Sequence, residues 1–508
     1  SHSDTTAQSG KKLAEVKTWH KLNMEVLQRT ANRGSVSTGY DIDNSLKLEQ
    51  PERLQRAYDG GGNIGSITST DRKKTTLSYW VKRTQLNASG NGIVFVMYAG
   101  NTIMLGFEND KLRVSTSYGY SLKSNADFRD TSAWYHLVFS IDTTQGTANN
   151  RAKAYVNGAE VTSWGTQTIS ISQNANNGMF NEVNGSHYFG WSDAQATGCY
   201  LAEAHCIDGQ ALTASDFGEY DDDSGIWIPK EYTGTYGNQG YYLDFETSSN
   251  LGTDSSGNSN NFGALYGIGA ENQATDSPSN NFCTLNPLAL DGSVINNSAT
   301  ITEGATKATA KEFDIYNTFA PTFGVTSGKW YAEFEYEGSQ ADNLVGILDI
   351  DAVVAYNSRL GKAGQWSVGL YQANGKLYVT SDSGTTDTAS WGASAADGDI
   401  MSVAVDMDNH FIYFAKNGTW QNSGVPTSGA TGTGGVAFDS NKTVGIGCSS
   451  YDQGGDEGQI FANYGGFTAG TISSAASDGN NYGTFEYQPP VGYLSLCTQN
   501  LASSGGTA

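Results

Sequence analysis

Basic residues, proline and cysteine are scarce in this chain of 508 residues: it has 29 Lys and Arg against 52 acidic residues, 8 Pro and 5 Cys. The net charge of -23 excludes nucleic acid as an expected partner, because that affinity comes from basic side chains that neutralise phosphates. The longest apolar run, Ile93 to Ala99, is too short for a membrane helix of about 20 residues, so we expect no membrane insertion. The cysteines are scattered without a CxxC pair, which favours a reduced chain.

Glycine and tyrosine are abundant instead, with 62 and 28 residues. Together with high Thr, Ser and Asn, this composition predicts many short strands joined by tight turns, and hence an all-β chain. Asn-Gly pairs at 157–158, 374–375 and 417–418 stand between strand-like segments. We expect each pair to form a two-residue hairpin, because both turn positions need positive φ.

Residues 1–45 differ from the rest of the chain. The opening SHSDTTAQSGKK is polar and has no apolar core, so we expect no secretory signal. Between Lys11 and Arg33 six basic and two acidic residues accompany apolar residues at helical spacing, which predicts a cationic amphipathic helix. We interpret it as an anchoring arm, with packing on the protein's own body as the alternative. The expected anchoring residues are Leu13, Val16, Lys17, Trp19, Lys21 and Leu27.

Strand patterns divide the remainder into two sandwiches. Alternating stretches predict a jelly-roll sandwich over 46–245 and a second sandwich over 286–501. Residues 246–285 lose strand character and contain no Lys or Arg, so we expect a linker or ordered loop there, and a short tail over 502–508. The predicted fold is therefore two tandem antiparallel β-sandwiches behind an N-terminal helical arm.

Three motifs of the first module are SYWVK (78–82), WYHLVF (134–139) and KAYVNG (153–158). Together they resemble the laminin-G/concanavalin-like superfamily of jelly-roll sandwiches. The second module carries SGKWYAEFEYEG (327–338) and GDIMSVAVDMDNHFIYFAKNGTW (398–420), which resemble a SPRY domain.

The segments around and between these motifs resemble virion structural proteins of tailed bacteriophages, as tail-fibre-like or capsid-surface proteins. They are LAEAHCIDGQALTASDFGEYDDDSGIWIPKEYTGTYG, GYYLDF, TDSSGNSNNF, DSPSNNFCTLNPL and PPVGYLSLCTQNL. The resemblance spans about residues 45–501 and implies a non-enzymatic adhesin on the phage particle surface, made in the host cytoplasm. It implies other virion proteins and a host surface glycan as partners, and a homo-oligomer, with a trimer favoured.

Two other functions stay open from the sequence. One is a capsid or tail decoration protein that contacts only other viral proteins. The other is a polysaccharide-degrading enzyme, because Glu333, Glu335 and Glu337 alternate along one strand and share a face. Laminarinase-type glucanases place their carboxylates at this spacing, but a solvated strand face explains the alternation equally, so we assign no catalytic residue.

Acidic clusters offer oxygen ligands of the kind that Ca²⁺ binds, at Asp349–Asp351, Asp406–Asn409, 221–223 and Asp254–Asn258. None has the spacing of a complete calcium loop, and Asp and Asn also form turns by bonding their own backbone. We therefore assign no metal ligands and no cofactor, and keep a structural Ca²⁺ ion as an open alternative.

Aromatic residues in loop-like sequence are the candidates for ligand binding. A flat ring beside Asp or Asn suits a sugar, whose CH groups stack on the ring while its hydroxyls meet the polar atoms. Packing in the core or in turns is the alternative for each of them. The candidates are Tyr118, Tyr120, Trp164, Trp391, Tyr451 and Asp452.

Overall fold

The computed structural model describes residues 40–503, apart from 57–68, 87–90, 99–101, 117–118, 177–185, 191–197, 223, 290–298, 312–313, 353–356, 363 and 390. The expected arm helix and its anchoring residues lie outside this part of the chain, as does Tyr118. Among the described helices, none has the length and apolar character needed to cross a membrane.

Short strands build the first sandwich, as the glycine-rich and β-branched composition predicts. They are β1 Ser45–Leu48, β2 Arg53–Arg56, β3 Lys74–Arg83, β4 Asn91–Tyr98, β5 Thr102–Glu108, β6 Lys111–Thr116, β7 Tyr120–Asp127, β8 Trp134–Asp142, β9 Ala152–Val156, β10 Ala159–Glu160, β11 Trp164–Ile169, β12 Ser186–Phe189, β13 Cys199–Asp208, β14 Gly218–Tyr220, β15 Trp227–Pro229, β16 Tyr241–Leu243, β17 Gly263–Leu265 and β18 Gln273–Ala274.

Two antiparallel sheets form this sandwich. The first has the order β10-β9-β8-β3-β13-β1-β18, with β16 also on β13, and the second has the order β11-β7-β6-β5-β4-β12-β2-β17. Alternate residues of both sheets, such as Leu77 and Tyr79 of β3 and Leu105 and Phe107 of β5, meet in one buried core. Strands β14 and β15 form a separate hairpin.

The second sandwich is also built from short strands. They are β19 Ala299–Thr302, β20 Lys307–Ala310, β21 Tyr316–Phe319, β22 Lys329–Glu337, β23 Leu344–Asp349, β24 Ser367–Tyr371, β25 Leu377–Ser381, β26 Gly384–Thr388, β27 Ile400–Asp406, β28 Phe411–Lys416, β29 Thr419–Trp420, β30 Val436–Ala437, β31 Val444–Gln453, β32 Asp456–Glu457, β33 Gln459–Asn463 and β34 Leu494–Ser495. A helix, Thr498–Ser503, follows.

Its two sheets have the orders β19-β20-β33-β22-β27-β28-β29 and β21-β31-β23-β24-β25-β26. Trp330 and Phe334 of β22 pack against Val345 and Ile347 of β23 in a second buried core. The outer face of β22 is covered as well, because Phe485 and Tyr493 pack against Tyr331. Strand β34 extends the sheet by pairing with β22 in parallel. The described part of the chain is thus all-β with several mainly antiparallel sheets, which confirms this part of the predicted fold class, while the N-terminal helical arm stays a prediction.

Asn-Gly turns close two of the three expected hairpins. Asn157 and Gly158 have φ values of 46° and 82° between β9 and β10, and Asn417 and Gly418 have 46° and 75° between β28 and β29. The expectation for 374–375 is wrong. There Tyr371 and Lys376 pair across a four-residue loop in which Gly375 alone supplies a positive φ, so the loop is longer than two residues.

Residues 246–285 do more than connect the sandwiches. They contribute β17 and β18, one to each sheet of the first sandwich. Residues 40–45, assigned to the arm by the sequence analysis, also contact this sandwich: the Ile42 amide donates to Ser279 Oγ and Ser45 Oγ donates to the Asp276 carbonyl. The first sandwich therefore includes residues 40–45, and strands that follow residue 245 complete its two sheets.

A buried ion pair lies where this segment passes between the sandwiches. Lys82 Nζ lies 2.6 Å from Asp276 Oδ2, and both side chains have almost no solvent exposure. Lys82 also donates to Asn281 Oδ1 and to the Phe282 carbonyl, while Trp134 Nε1 donates to Asp276 Oδ1. Burial raises the pKa of Asp276, and these donors oppose that shift because they favour the charged carboxylate.

The second sandwich completes the junction. The Thr275 amide donates to the Gly466 carbonyl, and Tyr200 of β13 donates its hydroxyl to the Gly304 carbonyl. Lys47 of β1 forms an ion pair with Glu303 at 2.9 Å. Strands of one sandwich are therefore bonded directly to loops of the other.

Candidate functional site

A groove lies on the outer face of β5 and β6 in the first sandwich. It has a volume of about 230 Å³ and is lined by Gly92, Met104, Leu105, Gly106, Phe107, Glu108, Arg113 and Ser115. Strand alternation explains its composition, because Leu105, Phe107, Leu112 and Val114 point into the core and leave their neighbours on the outer face.

Complementary charges form the polar wall of the groove. Glu108 Oε2 lies 2.9 Å from Arg113 Nε, and Glu108 Oε1 lies 2.7 Å from Lys123 Nζ on β7. Arg113 also donates from Nη1 to Ser121 Oγ at 3.0 Å. These side chains are each about one quarter exposed, so their remaining donors and lone pairs face solvent on a surface held rigid by the sheet.

Two glycines, Gly92 and Gly106, line the groove beside this wall. Gly106 pairs in register with Arg113, and a Cβ atom at Gly106 would lie 2.1 Å from the Gly92 carbonyl oxygen. This close approach occurs where the register of β4 and β5 shifts between Ile93 and Phe95. The bulge therefore brings the β4 backbone against Gly106, and Gly92 and Gly106 leave this part of the groove, next to the guanidinium group, without side chains, which suits a polar ligand of small size.

Of the aromatic candidates that the structure describes, Tyr120 and Trp164 lie in the first sandwich, and neither lines the groove. Tyr120 is 1% exposed in the core, so its assignment as a ligand-binding residue is wrong: the ring faces the opposite sheet. Trp164 on β11 is half-buried and packs against the same core.

The other candidates lie in the second sandwich. Trp391 is half-buried and packs edge-on against Phe414. Tyr451 packs against Tyr316 with the rings tilted by 34° and their centroids 4.4 Å apart, and it donates its hydroxyl to Asp314. Asp452 is buried and accepts the Gly455 amide, which is the turn-forming role that competes with ligand binding. The candidates thus lie on separate sheets and do not form one site.

The three glutamates of β22 have partners within their own chain. Glu333 is buried and accepts hydrogen bonds from the amides of Glu486 and Tyr487, and burial raises its pKa. Glu335 accepts from the amide and hydroxyl of Thr471, and Glu337 pairs with Lys307. They share the outer face as expected. Residues of the covering C-terminal segment bond Glu333 and Glu335, whereas Glu337 stays partly exposed beside Lys307.

The acidic clusters considered for Ca²⁺ bond their own backbone. Asp254 accepts the amides of Tyr242, Ser256 and Asn260. Asp406 accepts the amides of Asp408 and Asn409 and pairs with Lys329. Among the described residues, no group of three or more His, Cys, Asp or Glu side chains is placed to hold a metal.

Sequence reasoning missed the groove residues Gly106, Glu108 and Arg113, and Lys123, which pairs with Glu108. The available signal was charged residues alternating with apolar ones on three successive predicted strands, with a glycine opposite an arginine. That signal identifies a site only when the strand register is known, because a shift of one residue turns each side chain to the other face.

Comparison with known proteins supports the class of the first sandwich. Residues 57–216 match a laminin G family described as the concanavalin A-like lectin/glucanases superfamily, and the groove lies within this region. No curated protein matches the chain.

Several solved structures are similar at low identity. The SPRY domain of human HERC1 is 15% identical, with 35% of this chain and 96% of that chain covered, at a TM-score of 0.27. Domains LG4-5 of the mouse laminin alpha1 chain are 12% identical, with 89% and 90% covered, at 0.26. The SAP-like pentraxin of Limulus polyphemus is 16% identical, with 34% and 80% covered, at 0.24. At these values the structures assign no function to this chain.

Proposed function

We propose that the chain is a carbohydrate-binding, adhesin-type protein and that the groove on β5 and β6 binds a glycan. The observation that carries the proposal is the ion-pair network of Glu108, Arg113 and Lys123 beside the glycine-lined part of the groove, within a region that matches a lectin and glucanase superfamily. Fixed donors and acceptors along a sheet suit adjacent sugar hydroxyls, which present donors and acceptors in the same way.

We propose binding without catalysis. Hydrolysis of a glycosidic bond uses two carboxyl groups on either side of that bond. Glu108 is the single carboxylate among the described residues that line the groove, and it is held by two cations. Each glutamate of β22 already has partners within its own chain: Glu333 is held by two backbone amides, Glu335 by Thr471 and Glu337 by Lys307.

The setting we propose is the surface of a tailed bacteriophage particle, where residues 1–39 anchor the chain to other virion proteins. The tandem modules and connecting motifs of the sequence support this setting. A homo-oligomer, with a trimer favoured, would multiply weak glycan contacts into useful avidity. The alternative is a decoration protein that contacts viral proteins alone, and no cofactor is needed in either case.

An array of immobilised glycans tests the binding function. We expect the purified chain to bind a subset of the immobilised glycans with millimolar to micromolar affinity. The Arg113→Ala variant is expected to lose that binding. Absence of retention on every glycan and host-surface preparation would favour the decoration protein. Release of reducing sugar that Glu333→Gln abolishes would favour the enzyme and overturn the proposal.

Truncation tests the anchoring arm. The chain should be shortened to begin at Tyr40, because Tyr40 donates to Glu203 and Ile42 and Ser45 also contact the sandwich. We expect a β-rich protein that still binds glycan but no longer enters phage particles. Incorporation of the shortened chain at the normal level would contradict the anchoring role.

A further inference from the structure

A second cavity lies on the other sheet of the first sandwich, under the hairpin β14–β15. It has a volume of about 300 Å³, at the lower end of the range for small-ligand sites. We call it the hairpin pocket. Its lining residues are Tyr155, Gly158, Thr213, Ala214, Ser215, Gly218, Glu219, Tyr220, Trp227 and Lys230.

One aromatic ring of the hairpin pocket is open to solvent. Tyr220 is 52% exposed, whereas Trp227 and Tyr155 are 5% and 7% exposed and form the inner wall. Tyr220 packs edge-on against Trp227, with ring centroids 4.8 Å apart, and its hydroxyl donates to the Asn157 carbonyl. The exposed ring is therefore fixed at its edge and at its hydroxyl.

Trp227 is itself held by a hydrogen bond to the buried His136. Its Nε1 donates to His136 Nδ1 at 3.0 Å, and since an indole nitrogen can only donate, Nδ1 carries no proton. His136 Nε2 then holds the proton and donates to Ser78 Oγ at 2.8 Å. Burial lowers the pKa of His136 to about 3, which agrees with a neutral ring.

Glycines stand where this wall is tightest. A Cβ atom at Gly158 would lie 2.4 Å from the Trp227 ring, and one at Gly218 would lie 2.5 Å from it. The backbone thus approaches the indole at both positions. These close backbone contacts and the hydrogen bonds from Trp227 to His136 and from His136 to Ser78 hold the indole in place. The resulting aromatic wall is preorganised, which lowers the entropic cost of binding.

The rim supplies polar groups of balanced charge. Lys230 Nζ lies 4.0 Å from Glu219 Oε2 and 3.3 Å from the Ser215 carbonyl, and all three residues are exposed. A cation next to a carboxylate presents no net charge to a ligand, while both retain free hydrogen-bonding capacity. The rim therefore suits hydroxyl groups better than a charged group.

We propose that the hairpin pocket binds one neutral pyranose ring, which stacks on Tyr220 and bonds Glu219 and Lys230 through its hydroxyls. This inference rests on the proposed glycan function but assigns a separate site, on the sheet opposite the groove. An open aromatic ring with adjacent hydrogen-bonding groups matches the two faces of a pyranose, one made of CH groups and the other of hydroxyls. The protein would then hold one glycan at two places or two glycans at once.

Saturation-transfer NMR with the methyl glycosides of glucose, galactose and mannose tests the pocket on the full chain. We expect at least one of them to receive saturation, with strongest transfer to its ring CH protons. Tyr220→Ala is expected to weaken its binding about tenfold, which corresponds to about 1.4 kcal/mol, whereas Tyr220→Phe should bind within about threefold.

The matched control is Tyr266→Ala. Tyr266 is 55% exposed in the same sandwich and contacts Arg53 instead of the pocket, so its removal should leave methyl glycoside binding unchanged. A loss in Tyr220→Ala that Tyr266→Ala reproduces would overturn the pocket. Circular dichroism identical to that of the parent protein shows that each variant is folded.

The Arg113→Ala variant separates this inference from the groove. Binding of methyl glycosides that Arg113→Ala abolishes and Tyr220→Ala spares would overturn the pocket and support the groove. The absence of any bound methyl glycoside, with array binding intact, would overturn the pocket alone. Binding that depends on Tyr220 would support the pocket even if no glycan on the array required Arg113.

Discussion

Two buried histidines of the first sandwich differ in their hydrogen bonds, and these bonds determine the free-energy cost of burying a polar side chain. His136 accepts from Trp227 and bonds Ser78. His187 on β12 is also fully buried, but neither of its ring nitrogens has a hydrogen-bond partner among the described residues. Burial lowers the pKa of both, so both rings are neutral near pH 7.

Replacement of each histidine by leucine should therefore change stability in opposite directions. His187→Leu removes two unsatisfied polar atoms and is expected to raise the free energy of unfolding by about 1 kcal/mol. His136→Leu leaves the Trp227 N–H without a partner and should lower it by about 2 kcal/mol. Urea unfolding followed by circular dichroism measures both. Destabilisation by His187→Leu to the same extent would show that its ring is satisfied.

The accessible aromatic residues could not be predicted from the sequence alone, and the reason is physical. The sequence pattern predicts Tyr120, Trp164 and Trp391 to be loop residues with accessible rings, yet all three pack against a core. An aromatic residue next to Gly or Ser has the same local pattern in a binding loop and in a strand that faces a core. The difference comes from the opposite sheet, which is distant in sequence.

Turn elements were more predictable, because their requirement is local. Asn-Gly at 157–158 and 417–418 gives the positive φ values that two-residue hairpins need. The pair at 374–375 lies in a longer loop, since the loop length depends on which residues pair across the two strands. Local chemistry thus predicts a turn, and the register of the sheet sets its length.

Replacement of two hairpin glycines by alanine separates backbone strain from steric collision. Gly158 and Gly225 both have positive φ, but a Cβ atom would meet Trp227 at 2.4 Å at Gly158 and nothing within 4 Å at Gly225. We expect Gly225→Ala to cost about 1 kcal/mol and Gly158→Ala to cost at least about 2 kcal/mol, because the second change also displaces the indole. Thermal unfolding measures the difference. Equal losses would mean that the Trp227 ring moves freely away.

For the whole molecule, the structural question is how strongly the two sandwiches are joined. The sequence indicated their number and approximate extent through strand patterns and motifs. It could not show that 246–285 provides strands to the first sandwich, because a stretch rich in Ser, Asn and Gly has the composition of a linker. The bonds of Asp276 and Asn281, made across about 200 positions of sequence to Lys82, are what order it.

Loss of one member of this buried pair should weaken the whole molecule. Lys82→Met leaves Asp276 buried without its cation, and we expect a loss of about 3–5 kcal/mol. Calorimetry should show one unfolding transition for the parent chain and a lower or divided transition for the variant. Lys153→Ala, at an exposed pair with Glu160, is the control and should cost less than about 1 kcal/mol. An effect of that small size for Lys82→Met would contradict a structural role for the pair.

The junction should also respond to pH through Glu49. Burial, together with the nearby Glu303 and despite Lys47, raises the pKa of Glu49 to about 7 in the folded protein from an ordinary value of 4.5. Between these two values the folded state holds more protons than the unfolded state. Stability from this group is therefore present below about pH 4.5 and is lost as pH rises through 7.

Glu49→Gln should remove that dependence. We expect the difference in unfolding free energy between the variant and the parent to increase by about 1–3 kcal/mol in favour of the variant as pH rises from 5 to 8. The measurement is the difference in unfolding free energy between the two proteins at each pH, from urea titrations. A difference that is the same at pH 5 and pH 8 would mean that Glu49 titrates normally.

Binding by the groove is the central claim, and one affinity comparison tests it most directly. The dissociation constant for the glycan that the array retains best is measured by calorimetric titration for the parent chain, Arg113→Ala and Lys153→Ala. Both variants lose one cation from an ion pair, but Lys153 lies on the opposite sheet. We predict at least about a tenfold loss for Arg113→Ala, near 1.4 kcal/mol, and none for Lys153→Ala. Equal affinity in all three proteins would contradict the assignment of the groove.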